Sequence, residues 1–202
     1  MNSQTIERVI FFGRMNDSYS EKCLHHLRTI GFDVKPVWSK ERGEKLPNEV
    51  MSYSCEYIIC FRSYFIVPES ILNSAKKACI NFHPGPPEYP GSGGINFSLY
   101  NGDSKFGVTA HLMDEKVDNG SILDIHYFPI EKSDNISSLL RKTHNELYNL
   151  FIEFTANLKN EGLTYLENKV VEQNQVEWSS VKRKAKDIDI FNKSMFIRMK
   201  TN

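Results

Sequence analysis

Residues 78–94 read ACINFHPGPPEYPGSGG, an apolar run that passes directly into a loop rich in glycine and proline. Alternate residues of a β-strand point to the same face, so Asn81 and His83 are predicted to stand side by side while Phe82 turns into the core. Pro84 has no N–H to continue a ladder and is expected to end the strand. The pattern predicts an active-site edge that presents an amide next to an imidazole.

The chain before this stretch alternates strands with helices. Apolar runs predict strands over residues 8–12, 32–38 and 57–61. A helix is expected over 18–30, because Ser18 to Glu21 has capping-box spacing and Gly31 follows the apolar periodicity as a C-cap would. A short helix is predicted from Pro68 to Ala75. This alternation favours an α/β fold with a Rossmann-like, mostly parallel sheet and helices on both faces.

The chain after this stretch is predicted to complete one domain and continue into an extension. We expect a short helix over 96–101, strands over 106–113 and 122–130, an acidic loop between them and a long packing helix over 136–158. The periodicity weakens after Gly162, where VVEQNQVEW predicts a strand or hairpin. We therefore divide the chain into a catalytic domain, residues 1–162, and a C-terminal extension, residues 163–202.

The composition argues against several classes of partner. The 202 residues carry 25 basic and 25 acidic side chains, so no basic excess points to nucleic acid, and the cluster at 182–186 is interpreted as a solvated face. No apolar stretch is long enough to span a membrane, and the first eight residues are too polar for a signal peptide. A small-molecule substrate and a cytoplasmic location are expected, with the four cysteines as reduced thiols.

Two cofactor classes are not expected from the motifs. The turn after the first strand lacks the G-x-G-x-x-G that lets a backbone approach a dinucleotide, so neither NAD nor FAD is predicted. Metal is not predicted either, because the chain has no H-x-x-E-H and no cysteine pair with ligand spacing. Asn16 in that turn is a candidate for substrate contact or a simple turn residue, and both readings stay open.

Three polar residues near strand ends form the candidate catalytic set: Asn81, His83 and Asp118. An amide can hold a developing oxyanion, an imidazole can exchange protons near neutral pH, and a carboxylate can favour the cationic imidazole. Without a G-x-S-x-G elbow, the set suits acyl transfer with no covalent enzyme intermediate. His111 fits a structural or a supporting role equally well.

At these residues the sequence resembles the folate-dependent formyltransferases. The shared pattern is Asn-x-His-Pro at residues 81–84, a loop of proline, aromatic and glycine residues, Gly-Val-Thr-x-His at 107–111 and Asp-x-Gly at 118–120. The motifs occur in family order over about residues 57–130. The resemblance implies N10-formyltetrahydrofolate as donor and a primary amine as acceptor. By this resemblance, Asn81 would bind the formyl oxygen and His83 would stabilise the tetrahedral intermediate. Asp118 would set the protonation state of His83 and help to deprotonate the amine.

The resemblance also implies where ligands bind. Pterin contacts are expected at Phe61, Arg62, Ser63, Tyr64 and Phe65, and at Met113, Asp114 and Val117, largely through backbone groups. The acceptor is expected to border Asn16, Tyr89, Gly91, Gly93 and Gly94.

The acceptor loop distinguishes among the members of this family. It is one residue shorter than the purine-enzyme pattern, and the first turn lacks a Gly-Asn-Gly-Ser phosphate turn. The variant resembles bacterial sugar N-formyltransferases, which act on nucleotide-linked amino sugars for surface polysaccharide (O-antigen) biosynthesis. The alternatives are a phosphoribosylglycinamide formyltransferase and an inactive folate or nucleotide-sugar binding module. By the same analogy, the tail around 170–178 is a candidate homodimer contact.

Overall fold

The computed structural model describes residues 6–182. Six strands and five α-helices follow one another, with a 3₁₀ turn at Asn48–Ser52. The strands are β1 Arg8–Arg14, β2 Asp33–Ser39, β3 Cys55–Phe61, β4 Ala75–His83, β5 Lys105–Leu112 and β6 Ile122–Pro129. The helices are α1 Ser18–Thr29, α2 Glu69–Leu72, α3 Gly94–Asn101, α4 Ile136–Glu161 and α5 Leu163–Glu172.

The strands form one sheet in the order β2-β1-β3-β4-β5-β6. The first four of these strands are parallel, whereas β5 and β6 are added antiparallel. The predicted mostly parallel α/β sheet is confirmed. The strand order reverses between β1 and β3, and open α/β sheets place ligand sites outside the carboxyl ends of their parallel strands near such a switch point.

The two faces of the sheet bury different residues of the same strands. On the helix side, Phe82 of β4 packs with side chains from α1, α4 and α5 in the largest apolar cluster. On the other face, Cys79 of β4 packs with residues of the 3₁₀ turn and α2. Both faces are thus covered by helical segments, as the sequence predicted.

Two local predictions are corrected. The first helix is capped by Asp17 and not by Ser18, because the Asp17 carboxylate accepts from the Ser20 N–H at 2.9 Å while the Asp17 backbone is extended. The strand or hairpin expected over 170–178 is wrong, since α5 continues to Glu172 and residues 173–182 form no strand. This helix forms because Tyr165 and Leu166 bury one face against the main cluster, a tertiary contact that weak periodicity did not reveal.

The C-terminal part is described only to residue 182. Residues 183–186 of the basic cluster lie outside the described residues, so its interpretation as a solvated face stays a prediction, as does the domain boundary at 162. Between residues 6 and 182, no helix combines the length and apolarity needed to cross a bilayer.

Candidate active site

The carboxyl end of β4 brings the predicted polar residues together. Asn81 and His83 lie on the face opposite Phe82, and the antiparallel pairing sets Asn81 against His111 and His83 against Thr109 of β5. Thr109 donates its hydroxyl to the Gly85 carbonyl at 2.8 Å, which ties the start of the loop to β5. Asn81 and His83 therefore stand side by side on one face of β4, as strand parity predicted.

His83 is held between two acceptors. Its Nδ1 lies 3.3 Å from Oδ1 of Asp118, and its Nε2 lies 3.1 Å from the Tyr89 carbonyl. A carboxylate and a carbonyl can only accept, so both ring nitrogens are suited to carry protons. Burial by itself lowers the pKa of His83, but the Asp118 charge and these two hydrogen bonds outweigh burial, and the pKa is raised above its ordinary value of 6.5. The geometry favours a cationic imidazole.

Asp118 reaches the site from a strained turn. Its φ of 48° lies in the left-handed region, which aspartate tolerates better than most residues. While Oδ1 faces His83, Oδ2 accepts from the Gly91 N–H at 2.8 Å. Burial by itself raises the pKa of Asp118, but the charge of His83, with contributions from both neighbouring imidazoles, lowers it far below its ordinary value of 3.8. Asp118 is therefore a firmly ionised counter-ion.

His111 orients the amide of Asn81. The Nδ1 of His111 lies 2.7 Å from the Leu112 carbonyl, an acceptor that assigns a proton to Nδ1. The Nε2 can then accept from Nδ2 of Asn81, which is 3.0 Å away. One amide N–H of Asn81 is used in this bond and the other remains available to a ligand oxygen. Of the two readings of His111, the geometry favours the supporting role.

These residues line one side of a cleft of about 470 Å³. Its walls come from the segment after β3, the acceptor loop, and the loop between β5 and β6. The lining residues are 14, 42, 43, 60, 62–67, 81–84, 91, 92, 111, 113–118 and 182. Seven of the eight predicted cofactor residues are in this set, and Gly91 is the predicted acceptor residue that joins them. Ile66 and Val117, one from each loop, are exposed apolar side chains in this lining.

Two predicted contact residues, Phe61 and Asn16, do not line this cleft, and their contacts with ligands stay predictions. Phe61 is fully buried on the helix side of the sheet, since it shares strand parity with Ile59 and packs against Phe151 at 5.3 Å between ring centroids. Asn16 lies outside the cleft in an exposed turn at φ 56°, and its contact with the substrate stays a prediction.

Three predicted acceptor residues shape the loop and do not line the cleft. The Tyr89 ring is buried against Phe106, and its hydroxyl bonds to Asp103, so only its carbonyl reaches His83. Gly93 caps α3 in the left-handed conformation at φ 89°. A side chain at Gly94 would bring its Cβ to 2.9 Å from the Tyr89 Cβ, so glycine is required there for close packing.

The sequence reasoning missed Arg14 and Arg42, two cations at the cleft, whereas Arg62 was among the predicted cofactor residues. The guanidinium of Arg14 lies 4.0 Å from the centre of the Tyr64 ring, and that of Arg42 lies 5.7 Å from it. Arg62 pairs with Asp17 at 2.8 Å, with both side chains largely buried. Arg14 is the last residue of β1, and Arg42 and Arg62 lie in the loops after β2 and β3, so a position at or after a strand end is the signal that could have indicated Arg14 and Arg42.

A metal site was not predicted, and that expectation stays a prediction. In the described range, 6–182, no group of three or more histidine, cysteine, aspartate or glutamate side chains is arranged to hold an ion. His83, His111 and Asp118 are instead engaged with one another and with backbone groups.

Comparison with known proteins adds sequence relatives and structural neighbours. A family described as formyl transferase matches residues 18–155. The methionyl-tRNA formyltransferase of Ehrlichia canis is 33% identical over 113 residues, which are 55% of this chain and 37% of that protein. The enzyme of that name from Rickettsia felis is 29% identical over 154 residues, 71% of this chain and 51% of that protein. The chain thus spans about half, or less, of the length of these curated relatives.

Solved structures share the fold. An N-formyltransferase from Helicobacter canadensis, in complex with folinic acid and dTDP-3-aminofucose, superposes with a TM-score of 0.65 at 17% identity, over 90% of this chain and 72% of that one. Phosphoribosylglycinamide formyltransferase from Bacillus halodurans gives a TM-score of 0.63 at 19% identity, over 77% of this chain and 96% of that one. At these identities the likeness concerns the fold.

Proposed function

Since the chain belongs to the formyl transferase family, we propose that it transfers the formyl group of N10-formyltetrahydrofolate to the primary amine of a nucleotide-linked deoxyamino sugar. The observation that carries this proposal is the convergence of Asn81, His83 and Asp118 beside one cleft, with Asp118 only 3.3 Å from His83. These three groups supply an oxyanion donor, a cationic imidazole and its counter-ion.

The proposed reaction places negative charge next to Asn81 and His83. The amine nitrogen attacks the formyl carbon, and the carbonyl electron pair moves to the formyl oxygen. That oxygen would accept the free amide N–H of Asn81 and the Nε2–H of His83, which now faces the Tyr89 carbonyl. When the intermediate collapses, the bond from carbon to N10 breaks. One proton lost by the amine ends on N10, so the products are the formamide and tetrahydrofolate.

Asp118 has the clearest role in holding His83 protonated. Its two oxygens are occupied by His83 and the Gly91 N–H, and its lowered pKa makes it a weak base. We assign it the electrostatic role first. Removal of the amine proton by Asp118, directly or through water, is a second proposed role that demands a change in these hydrogen bonds.

The cofactor is proposed to lie between residues 62–67 and 113–118. Ile66 and Val117 present exposed apolar surface from these two segments, which suits the flat ring of a folate. The Arg14 and Arg42 guanidinium groups near Tyr64 supply positive charge for anionic parts of a ligand.

The amino-sugar acceptor is supported by the short acceptor loop and by the neighbour from Helicobacter canadensis, whose complex contains dTDP-3-aminofucose. A second candidate acceptor is methionyl-tRNA, because the curated relatives carry that name. Glycinamide ribonucleotide is a third, given the neighbour from Bacillus halodurans. The three acceptors differ greatly in size and charge, so direct competition between them shows which one is formylated preferentially.

The test is an acceptor screen with the full chain and N10-formyltetrahydrofolate. dTDP- and UDP-linked amino sugars, glycinamide ribonucleotide and methionyl-tRNA are supplied together and singly, and products are identified by mass spectrometry. We expect one formyl group on an amino sugar, and none with the Asn81→Ala variant. Preferred formylation of either other acceptor would replace the proposed substrate. Ligand-induced thermal stabilisation without product from any acceptor would indicate the inactive binding module.

A further inference from the structure

The last described segment of the chain crosses the candidate site. We call residues 176–182 the C-terminal strap. The Ser179 N–H donates to the Pro87 carbonyl at 2.9 Å, and Nζ of Lys182 donates to the Val117 carbonyl at 2.7 Å. The strap therefore connects the acceptor loop with the loop that carries Asp118, two segments that contribute opposite partners of His83.

Trp178 is the part of the strap that meets the imidazoles. Its ring centroid lies 5.7 Å from that of His83 and 5.0 Å from that of His111, with interplanar angles of 79° and 83°. Both are edge-to-face contacts of the kind that aromatic rings prefer. Only 5% of His83 and 2% of His111 is exposed although both residues line a cleft, so the indole is part of what excludes water from them.

The indole also holds the backbone of the Asp118 loop. Its Nε1–H donates to the Gly120 carbonyl at 2.8 Å. Gly120 in turn lies so close to β5 that an added Cβ would come within 2.0 Å of the Leu112 oxygen. That oxygen accepts from Nδ1 of His111. One side chain thus touches both imidazoles and fixes the loop two residues beyond their shared carboxylate.

We propose that Trp178 is a positioning residue of the transfer site. Its ring excludes water from His83 and His111, and its N–H fixes the position of the loop that carries Asp118. This inference rests on the proposed function for its kinetic consequence. The strap then belongs to the catalytic unit, although the sequence analysis assigned it to the C-terminal extension that begins at residue 163. The ring and the N–H make separable contributions.

The kinetic experiment uses the full chain with three variants. Trp178→Ala removes both contributions, Trp178→Phe keeps a ring and loses the N–H, and Val181→Ala changes an exposed side chain of the same strap. We expect Trp178→Ala to lower kcat by about 10- to 100-fold with KM changed much less, because misplacing reacting groups by about 1 Å can lower the rate by about 10²-fold. Trp178→Phe should recover part of the loss, and Val181→Ala should match the wild type.

A spectroscopic experiment needs no substrate. The chain has two tryptophans, so in a Trp38→Phe background the emission comes from Trp178. A cationic imidazole quenches a neighbouring indole, and emission should rise as pH increases above 6.5, the ordinary value that the pKa of His83 exceeds. The step should vanish with His83→Gln added. The charged or titratable groups around His83 are Asp118 and His111 and, lining the cleft, Arg14, Arg42, Cys60, Arg62, Tyr64, Asp114, Glu115, Lys116 and Lys182.

The outcomes separate the two proposals. If the wild type transfers formyl groups and Trp178→Ala does so at the rate of Val181→Ala, the positioning role is overturned and the proposed function stands. If the wild type forms no product with any acceptor, the proposed function fails, and an emission step that depends on His83 still supports the placement of Trp178. If the pH dependence of the emission is the same with and without His83→Gln, the placement of Trp178 is overturned. Should Trp178→Ala not fold, Trp178→Phe and the emission titration decide.

Discussion

The two faces of β4 differ sharply in the side chains that they bury. On the helix side, Phe82 is fully buried among apolar rings, with Phe151 at 4.7 Å and Phe154 at 5.7 Å between centroids. On the cleft side, Asn81 and His83 are tied into a network of polar groups. Adjacent residues of one strand thus serve stability on one face and chemistry on the other.

The difference shows what each kind of burial requires. Apolar rings need only close packing, and their contribution to stability is distributed over several neighbouring side chains. A buried charge requires a specific partner for each polar atom, and His83 and Asp118 both meet this demand at both of their polar atoms. The cleft side is therefore sensitive to single atoms, whereas the helix side is sensitive to volume.

The largest expected effect comes from the chemical face. His83→Ala should lower kcat for formyl transfer by about 10²- to 10⁴-fold, the usual range for a group that moves or carries a proton in the transition state. The thermal midpoint should fall as well, because the change leaves the buried Asp118 carboxylate without its partner, so turnover is compared at a temperature at which both proteins are folded. Steady-state kinetics and thermal unfolding measure the two quantities. His25→Ala, the same change at an exposed histidine of α1, is the control. Near-normal turnover of His83→Ala would contradict the mechanism.

The next effect comes from the packing face. Phe82→Ala should reduce the free energy of unfolding by about 3–5 kcal/mol, because it removes a fully buried ring and leaves a cavity among other rings. Chemical denaturation measures this change. Phe128→Ala, at a half-buried phenylalanine of β6, should cost clearly less. Equal losses in the two variants would show that burial on the helix side does not control stability as described.

The smallest expected effect is a change in how the stability of the fold depends on pH. His83, with its raised pKa, contributes stability that is complete below its ordinary value of 6.5 and is lost as pH rises through the raised pKa. Asp118, with its lowered pKa, contributes stability present above its ordinary value of 3.8 and lost as pH falls. The wild type should therefore exceed Asp118→Asn in stability most between about pH 4 and 6.5.

The same variant should also change the pH profile of transfer. Without the carboxylate, His83 loses its proton at lower pH, so the decline of kcat/KM on the alkaline side should move toward lower pH. Unfolding and kinetics measured from pH 4 to 9 provide both curves. Asp33→Asn, at an exposed aspartate, is the control. A stability difference that is independent of pH would contradict the ion pair.

Local patterns predicted most of the fold. The strand, helix, strand alternation and the side-by-side placement of Asn81 and His83 follow from periodicity, which depends on neighbours in the chain. The resemblance to formyltransferases is confirmed by the family match over residues 18–155. The catalytic roles of Asn81, His83 and Asp118 stay predictions. The side-chain position of Phe61 follows from its parity with Ile59, whereas α5 was missed because its helical state depends on packing.

The sequence by itself determined the types of chemical group at the site and the face of β4 on which two of them stand, because strand geometry fixes the direction of every second side chain. Only the tertiary structure decided which distant groups meet them. The contacts of Asn81 with His111 and of Trp178 with both imidazoles join residues 30 to 95 positions apart. Such contacts depend on sheet register and loop paths, which are set by the packing of the whole domain and not by any local pattern.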